Sequence, residues 1–325
     1  MTPEDPVVLV WDPIRDLDWS YDRERELLAV EGVRLVVPAT PRASVEELRG
    51  ADVVIVSDPF PSELLVQLTR CVGLICYSVG MDAVDADAAA AAGLTVTNVA
   101  GYCTDEVSDH AMALLLAVQR RLVAFTSSAA AGDWDVYSGP DFYGIRRLRG
   151  QTVGIVGLGR IGSQVAMKCS AFGMTVLAYD PYLTRSPLDC VELTGLDALL
   201  RRSDVVVLCS ALTESSRHLL DADRIATMRR GAVIVNVARG ALIDETALAG
   251  ALRAGQVSAA ALDVRAQEPP DREDDQLRGL PNIVLTQHMA ATSQEARDDL
   301  HVLAARRATE LLADAGRLPA RERSG

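Results

Sequence analysis

The chain has 325 residues, of which 49% are hydrophobic, and it carries a formal net charge of −13 at pH 7. This length suits about two domains, and the acidity argues against a nucleic-acid surface, which needs a basic face. No apolar run approaches the ~20 residues of a membrane-spanning helix, and the acidic amino terminus lacks the basic start of a signal peptide. We expect a cytoplasmic protein that binds neither nucleic acid nor membrane.

The cysteines and histidines do not form the spacings of a metal site. No two of the six cysteines form a C-x-x-C pair, which favours free, mostly buried thiols in a reducing compartment. The four histidines are scattered without ligand spacing. We therefore predict that the protein holds no metal.

Strands and helices alternate over the first hundred residues. Short apolar runs predict five strands, at 7–11, 33–37, 51–56, 72–76 and 94–97. Helices are predicted between them, and Ser44 with Glu47 forms a capping box for one of these. Alternation of this kind predicts a parallel α/β sheet. This first unit covers about residues 1–98.

A long helix is predicted next, over about 104–123, and an irregular segment follows it at 127–150. The irregular segment contains Trp134, Tyr137, Phe142 and Tyr143. Aromatic side chains on a loop indicate a subunit contact more than a linker.

Residues 151–182 have the pattern of a dinucleotide-binding unit. An apolar strand at 152–156 leads into Gly157, Gly159 and Gly162, in the spacing G-x-G-x-x-G, and a helix follows from Arg160. The glycines permit a tight turn, an approach of the backbone to a pyrophosphate, and close packing of the helix on the strand. The helix start offers N–H groups to the phosphates.

A second strand, at 175–179, ends in Asp180, which can accept hydrogen bonds from the adenosine ribose. Its carboxylate would repel a 2′-phosphate, and no arginine directly follows it. The sequence therefore predicts NAD, as NAD(H), in preference to NADP.

Three polar segments follow strands of this second sheet. Arg239 comes after a strand at 232–237, Glu268 stands in the loop after a strand at 258–262, and His288 follows a strand at 282–285. Ligands of an open parallel sheet gather at the carboxyl ends of its strands. An arginine, a glutamate and a histidine are thus expected to converge on the nicotinamide end of the cofactor.

At these residues the chain resembles the D-isomer-specific 2-hydroxyacid dehydrogenase family. The matching stretches are 98–121, 148–182, 236–248, 261–269 and 281–296, and the 77–85 loop fits more weakly. The chain is also similar to C-terminal binding protein, a corepressor on the same fold. The resemblance implies a Rossmann-type doubly wound NAD-binding domain at 99–293 and a flavodoxin-like catalytic domain at 1–98 and 294–325.

The resemblance also implies roles for single residues. Arg239 would bind the carboxylate and keto oxygen of the substrate, His288 would be the acid and base, and Glu268 would raise the pKa of His288. Substrate contacts would come from Tyr77, Ser78, Val79 and Gly80. Cofactor contacts would come from Gly157, Gly159, Gly162, Asp180, Asp263 and a further set: Thr104, Arg160, Ile161, Pro181, Ala211, Thr213, Val237, Ala238 and Ala290.

The sequence departs from the family pattern at a few positions, among them Gln287 and Ser78, which bear on the identity of the substrate. The resemblance implies hydride transfer between NAD(H) and a small 2-hydroxy or 2-keto acid, by a homodimer that assembles through an arm at 105–150. Two alternatives stay open: an NAD(H)-sensing, corepressor-like binding protein, and a related oxidoreductase acting on another oxyanion such as phosphite. The histidines His110, His218 and His301 are interpreted as structural.

Overall fold

A computed structural model describes residues 5–15, 19–134 and 144–318. The chain divides into two compact units, one formed by Met1–Cys103 with Ser293–Gly325 and the other by Thr104–Thr292. Each unit contains one parallel sheet. Two parallel sheets with intervening helices confirm the predicted α/β class.

The strands and helices have the following bounds. The strands are β1 (Val7–Val10), β2 (Arg34–Val36), β3 (Val53–Val56), β4 (Gly73–Cys76), β5 (Thr95–Asn98), β6 (Thr152–Val156), β7 (Thr175–Tyr179), β8 (Val191–Leu193), β9 (Val205–Leu208), β10 (Ala232–Asn236), β11 (Val257–Leu262) and β12 (Ile283–Leu285). The helices are α1 (Asp22–Val30), α2 (Val45–Gly50), α3 (Ala86–Ala91), α4 (Thr104–Gln119), α5 (Leu122–Ala130), α6 (Arg160–Ala171), α7 (Leu196–Arg202), α8 (Ala222–Thr227), α9 (Glu245–Arg253) and α10 (Gln294–Asp314).

The first unit has a five-stranded sheet in the order β2-β1-β3-β4-β5. This is the flavodoxin-like order. Successive side chains of a strand point to opposite faces, so Val8 and Val10 enter one core while Leu9 enters the other. The first core also takes side chains from α1 and α10, and the second takes side chains from α2 and α3. Burial of both faces explains why β1, β3 and β4 read as continuous apolar runs.

The second unit has a seven-stranded sheet in the order β12-β11-β10-β9-β6-β7-β8. All of its pairs are parallel. Strand β6 is the first of this sheet in the sequence, and β7 and β8 follow on one side of it. The chain then returns to form β9 on the opposite side of β6. The strand order therefore reverses between β6 and β9, and ligands of such sheets bind outside the carboxyl ends at this switch point.

Three local predictions differ from the structure. The predicted single helix to residue 123 is in fact two helices, because Arg121 adopts a left-handed conformation with φ of 51° and separates α4 from α5. Residues 127–130, predicted to be irregular, belong to α5. Strand β8 was missed, since it is a three-residue edge strand with a glutamate at its centre. Tyr137, Phe142 and Tyr143 lie outside the described residues.

Other predicted features are present. Ser44 and Glu47 form the reciprocal capping box expected at the start of α2. Within the described ranges, every helix is too short or too polar to cross a bilayer.

Candidate active site

The glycine turn follows β6 at the switch point of the second sheet. Gly157 has φ of 89°, a conformation that favours glycine, and an added Cβ would lie 2.7 Å from the backbone of Ser210. At Gly162 an added Cβ would overlap the carbonyl oxygen of Gly157. At Gly159 a Cβ would meet nothing within 4 Å, and this residue caps α6. The first and third glycines are thus required by packing, and the second leaves open space above the helix start.

Asp180 is tied directly to this turn. Its Oδ2 accepts a hydrogen bond of 2.9 Å from the backbone N–H of Leu158, and its Oδ1 accepts one of 3.0 Å from Tyr182. A cavity of about 460 Å³ lies beside it, and its lining includes Tyr179, Pro181, Leu196, Asp197, Ser215 and Arg224. Asp180 therefore lies between the glycine turn and a pocket at the end of β7.

The remaining predicted cofactor residues lie at helix starts or just after strands of this unit. Arg160 and Ile161 begin α6, and Thr104 begins α4. The others follow β9, β10 or β12: Ala211, Thr213, Val237, Ala238 and Ala290. Thr213 caps a short 3-10 helix at Glu214–Ser216.

Arg239 lies in the turn after β10. The turn is fixed by Asn236, which is fully buried and whose side chain donates to the carbonyl of Arg239 at 2.9 Å and accepts from the N–H of Ala238 at 3.0 Å. The guanidinium Nη1 donates to the carbonyl of Ala238 at 2.8 Å. A half-buried guanidinium on a fixed turn can present its fork to a planar carboxylate.

Glu268 and His288 form a pair at the same edge of the sheet. His288 Nδ1 lies 2.6 Å from Glu268 Oε2, and the two side chains are 48% and 36% exposed. The hydrogen bond with Glu268 and its charge raise the pKa of His288, against burial and the charge of Arg239, which lower it. Among the described residues only Nδ1 of this ring has a hydrogen-bond partner, so Nε2 is the atom at which the imidazole can exchange a proton.

The carboxylate of Glu268 remains ionised beside this ring. Burial alone would raise its pKa, but the hydrogen bond with His288, the N–H of Arg265 and the positive charges of His288 and Arg239 hold the pKa below its usual value. The pair borders a cavity of about 520 Å³ whose lining includes Arg265, Asp275, Arg278, Leu285, Thr286 and Gln287.

Asp263 organises the turn that carries His288. The carboxylate is 1% exposed and accepts hydrogen bonds from the N–H groups of Met289, at 3.0 Å, and Ala290, at 2.9 Å, and from the hydroxyl of Thr286, at 2.6 Å. The backbone carbonyl of Asp263 accepts from the N–H of His288 at 2.7 Å. His288 has φ of 54°, a conformation that is uncommon outside glycine and that persists where its surroundings enforce it.

His110 takes part in this network, although the sequence indicated only a structural helix residue. Its Nε2 lies 3.1 Å from the hydroxyl of Thr286 and 3.4 Å from Asp263 Oδ1. Nothing in the local pattern of α4 distinguishes this histidine from a packing residue. The contact spans 176 positions between His110 and Thr286, so only the fold reveals it.

The predicted substrate loop, Tyr77–Gly80, follows β4 at the carboxyl edge of the first unit's sheet. Ser78 donates to the carbonyl of Gly80 at 2.8 Å, and Asn98 donates to the carbonyl of Val79 at 2.5 Å. The phenol of Tyr77 is buried, and its hydroxyl contacts Glu24 and His301 of the same unit. This buried side chain anchors the loop to the core of the first unit, so Tyr77 has little side-chain surface to offer to a ligand.

The second unit thus combines three capabilities at one sheet edge: a glycine turn suited to a dinucleotide, a guanidinium suited to a carboxylate, and an imidazole held by a carboxylate. Among the described residues, no three potential metal ligands come together. The arrangement can bind an acid and move a proton.

The chain is similar to several proteins of known family. The profile of the NAD-binding domain of D-isomer-specific 2-hydroxyacid dehydrogenases matches residues 112–290. The chain is 36% identical over 263 residues to a glycerate dehydrogenase of Methylorubrum extorquens, covering 79% of this chain and 81% of that protein.

A D-3-phosphoglycerate dehydrogenase of Methanocaldococcus jannaschii is 36% identical over 295 residues, covering 89% of this chain but 54% of the relative. The chain therefore spans about half the length of that relative. A crystal structure of an NADPH-dependent glyoxylate/hydroxypyruvate reductase from Sinorhizobium meliloti, in complex with NADP and malonate, superimposes with a TM-score of 0.81 at 28% identity. That likeness covers 99% of this chain and 100% of the other.

Proposed function

The chain belongs to the D-isomer-specific 2-hydroxyacid dehydrogenase family, and from this premise we propose that it transfers a hydride between NAD(H) and a small D-2-hydroxy or 2-keto acid. The observation that carries the proposal is the pairing of His288 with Glu268, 2.6 Å apart. This pair shares a sheet edge with Arg239 and with the glycine turn. Relatives named glycerate and D-3-phosphoglycerate dehydrogenase support a small 2-hydroxy acid as the class of substrate.

Each of the three side chains has a part in the proposed reaction. Arg239 binds the substrate carboxylate and polarises the adjacent carbonyl, because its fork matches a planar acid. His288, protonated on both ring nitrogens, donates the Nε2 proton to the carbonyl oxygen during reduction and removes the hydroxyl proton in the reverse direction. Glu268 holds Nδ1–H and stabilises the charged ring.

The residues of the second unit fit a dinucleotide. Gly159 leaves space at the start of α6, where N–H groups and the helix dipole favour phosphate. Gly157, Gly162, Arg160 and Ile161 would hold the pyrophosphate. When bound, the reduced nicotinamide supplies the hydride.

We propose NAD as the preferred coenzyme, with Asp180 as the residue that selects it. Its carboxylate, fixed by the N–H groups of Leu158 and Tyr182, would accept from the ribose hydroxyls and repel a 2′-phosphate. Arg185, five residues after Asp180 in the sequence, is exposed, and a similar reductase is described with NADP. Initial rates with NADH and with NADPH test this choice.

We assign the substrate-binding role of the family to the unit at 1–98 and 294–325, and the NAD-binding role to 99–293. The N–H groups of Val79 and Gly80 would serve the substrate carboxylate. All six cysteines are free thiols, in keeping with the reducing cytoplasm that we expect.

We also propose that the chain forms a homodimer through the 105–150 segment. Helix α5 buries none of its residues, and Leu122, Val123 and Phe125 are 58%, 52% and 43% exposed. A row of apolar side chains on an exposed helix fits contact with a second copy. Light scattering of the native chain and of a Leu122→Asp/Phe125→Asp variant tests this, and an unchanged mass would overturn it.

The function is tested by an NADH-oxidation screen. Candidate substrates are pyruvate, glyoxylate, hydroxypyruvate, 3-phosphohydroxypyruvate and branched or aromatic 2-keto acids, each with NADH and with NADPH. We expect turnover of at least one acid and a preference for NADH. Binding of NADH without turnover of any acid would contradict the enzymatic proposal and favour a cofactor-sensing role.

A further inference from the structure

An arginine with a largely buried side chain lies beside the Glu268–His288 pair. The side chain of Arg265 is 9% exposed and lies between Glu245, the first residue of α9, and Asp275 in the loop before β12. We call these three residues the Arg265 clamp. Nothing in the proposed reaction uses a charge at this place, so its position needs a separate explanation.

The clamp is a double fork. Arg265 Nε and Nη2 donate to the two oxygens of Glu245 at 3.1 and 2.9 Å, while Nη1 and Nη2 donate to the two oxygens of Asp275 at 3.0 and 2.7 Å. Two bidentate contacts on one planar guanidinium fix its orientation as well as its position. Lysine could supply the charge, but it could not form two forks.

Backbone groups extend the clamp along the loop. The N–H of Ala266 donates to Glu245 Oε1 at 2.8 Å, and the N–H of Leu277 donates to Asp275 Oδ1 at 3.1 Å. The loop after β11 is thereby fastened to α9 on one side and to the 275–277 turn on the other. A loop held at two points has less freedom to move the residues that it carries.

The backbone of Arg265 reaches both parts of the candidate site. Its N–H donates to Glu268 Oε1 at 2.7 Å, while Glu268 Oε2 contacts His288. A Cβ added at Gly240 would overlap the carbonyl carbon of Arg265, so the turn that carries Arg239 packs directly on this backbone. The side chain of Arg265 therefore fixes its own backbone, which orients Glu268 and supports the turn that carries Arg239.

We propose that Arg265 is a positioning residue, whose clamp on Glu245 and Asp275 holds Glu268 in line with His288. The inference rests on the proposed function for its consequence in turnover, but the alignment itself exists in the free protein. The charged groups that act on His288 are Glu268 in the loop, Asp263 at the end of β11 and Arg239 at the end of β10. Of these, the clamp reaches Glu268 most directly.

The test is a titration of the histidine rings by NMR in the free protein. The chain has four histidines, so His288 can be assigned by its absence in a His288→Asn variant. In Arg265→Met the contact between Glu268 and His288 is expected to loosen, and the pKa of His288 should fall by about one unit. Arg202→Met is the matched control, because Arg202 forms an exposed fork with Glu192 at 2.6 and 2.9 Å.

Turnover gives a second readout. Reduction needs protonated His288. If the pKa of His288 falls, the ring loses its proton at a lower pH. We expect the loss of kcat/KM in Arg265→Met to be about tenfold larger at pH 8.5 than at pH 5.5. A general loosening of the fold would reduce activity by the same factor at both values.

Because Arg265→Met leaves two carboxylates without their partner, Arg265→Lys is made beside it; lysine keeps the charge but cannot form the two forks. If the lysine variant folds and the pKa of His288 falls, the proposal is supported. An unchanged His288 titration in a folded Arg265 variant, or an equal fall in Arg202→Met, would overturn it. If no 2-keto acid is turned over but the titration behaves as expected, the proposed function fails and the clamp stands.

Discussion

Two glutamate–histidine pairs, one in each unit, share the same contact and differ in exposure. In the second unit His288 Nδ1 lies 2.6 Å from Glu268, with side chains 48% and 36% exposed. In the first unit His301 Nδ1 lies 2.7 Å from Glu24, with side chains 6% and 0% exposed. The same two groups thus occur once where a ligand can reach them and once where none can.

The two pairs also differ in what surrounds them. The buried pair is completed by the hydroxyl of Tyr77, which lies 2.9 Å from His301 Nδ1, and by the ring of Trp19 at 5.1 Å from the imidazole. Every partner there is internal. The open pair has partly exposed side chains and borders a cavity. A Glu–His contact therefore indicates catalysis only when one ring nitrogen is accessible, and otherwise it holds elements together, here α1, α10 and the end of β4.

The largest expected effect is on stability, from breaking the buried pair. His301→Leu removes the imidazole and leaves the buried carboxyl of Glu24 with only the Tyr77 hydroxyl, and loss of one partner of a buried pair costs about 3–5 kcal/mol. The melting temperature measured by calorimetry should fall by about 10 °C.

The double variant Glu24→Leu/His301→Leu is the control for this effect. It removes both polar groups, so it should recover part of the lost stability. A double variant no more stable than His301→Leu would argue that the pair does not behave as a coupled unit.

The next effect concerns the open pair. Glu268→Gln removes the carboxylate that raises the pKa of His288, so that pKa falls and the protonated acid is lost at a lower pH. The falling limb of kcat/KM for reduction should move to lower pH, with a loss of about 10²-fold above neutrality.

Glu273→Gln, in the same loop and exposed, is the matched control for the pH profile. We expect it to leave the profile where it is. If Glu268→Gln lowers kcat/KM by the same factor at every pH and leaves the pH of the falling limb unchanged, the assigned role of this carboxylate is contradicted.

A smaller effect is expected from the hydroxyl that links Asp263 to His110. Thr286→Val keeps the shape but removes a hydrogen bond to a buried carboxylate, at a cost of about 1.5 kcal/mol, or roughly tenfold. We expect this loss in kcat, because the turn that carries His288 is held by Asp263. Thr286→Ser restores the hydroxyl and should restore kcat; equal kcat values in the valine and serine variants would exclude the network.

The smallest effect is on coenzyme choice. Asp180→Asn keeps a hydrogen-bonding side chain but removes its charge, and it should raise the ratio of NADPH to NADH efficiency about fivefold, the equivalent of about 1 kcal/mol. Asp189→Asn, exposed in the following loop, should not change that ratio. An unchanged ratio in Asp180→Asn would remove this residue from coenzyme selection.

Local patterns were enough to predict much of the fold. The strands of both sheets are apolar runs bounded by turn residues, and the glycine turn is visible because three glycines with an acid at the next strand end have few other uses. Residues that share the carboxyl ends of parallel strands could be expected to meet, which is why Arg239, Glu268 and His288 could be named together.

Long-range contacts could not be predicted in the same way. Glu24 and His301 are 277 positions apart, and neither helix pattern marks its polar residue as buried. The family resemblance placed Tyr77 at the substrate, whereas its phenol lies inside the first unit. Arg265 and His110 act through partners in other elements, and a charged residue in a loop or on a helix is most often solvated. The division of α4 and α5 at Arg121 has no glycine or proline to signal it.

The comparison of His288→Asn with His301→Leu tests the account most directly. Asparagine tolerates the left-handed conformation of residue 288, so the variant should fold and bind NADH, as followed by fluorescence. At a temperature where both variants are folded, we predict that His288→Asn loses about 10³-fold in kcat for the best 2-keto acid, while His301→Leu stays within a few-fold of the native chain. Near-native turnover by His288→Asn, or an equal loss in folded His301→Leu, would contradict the account.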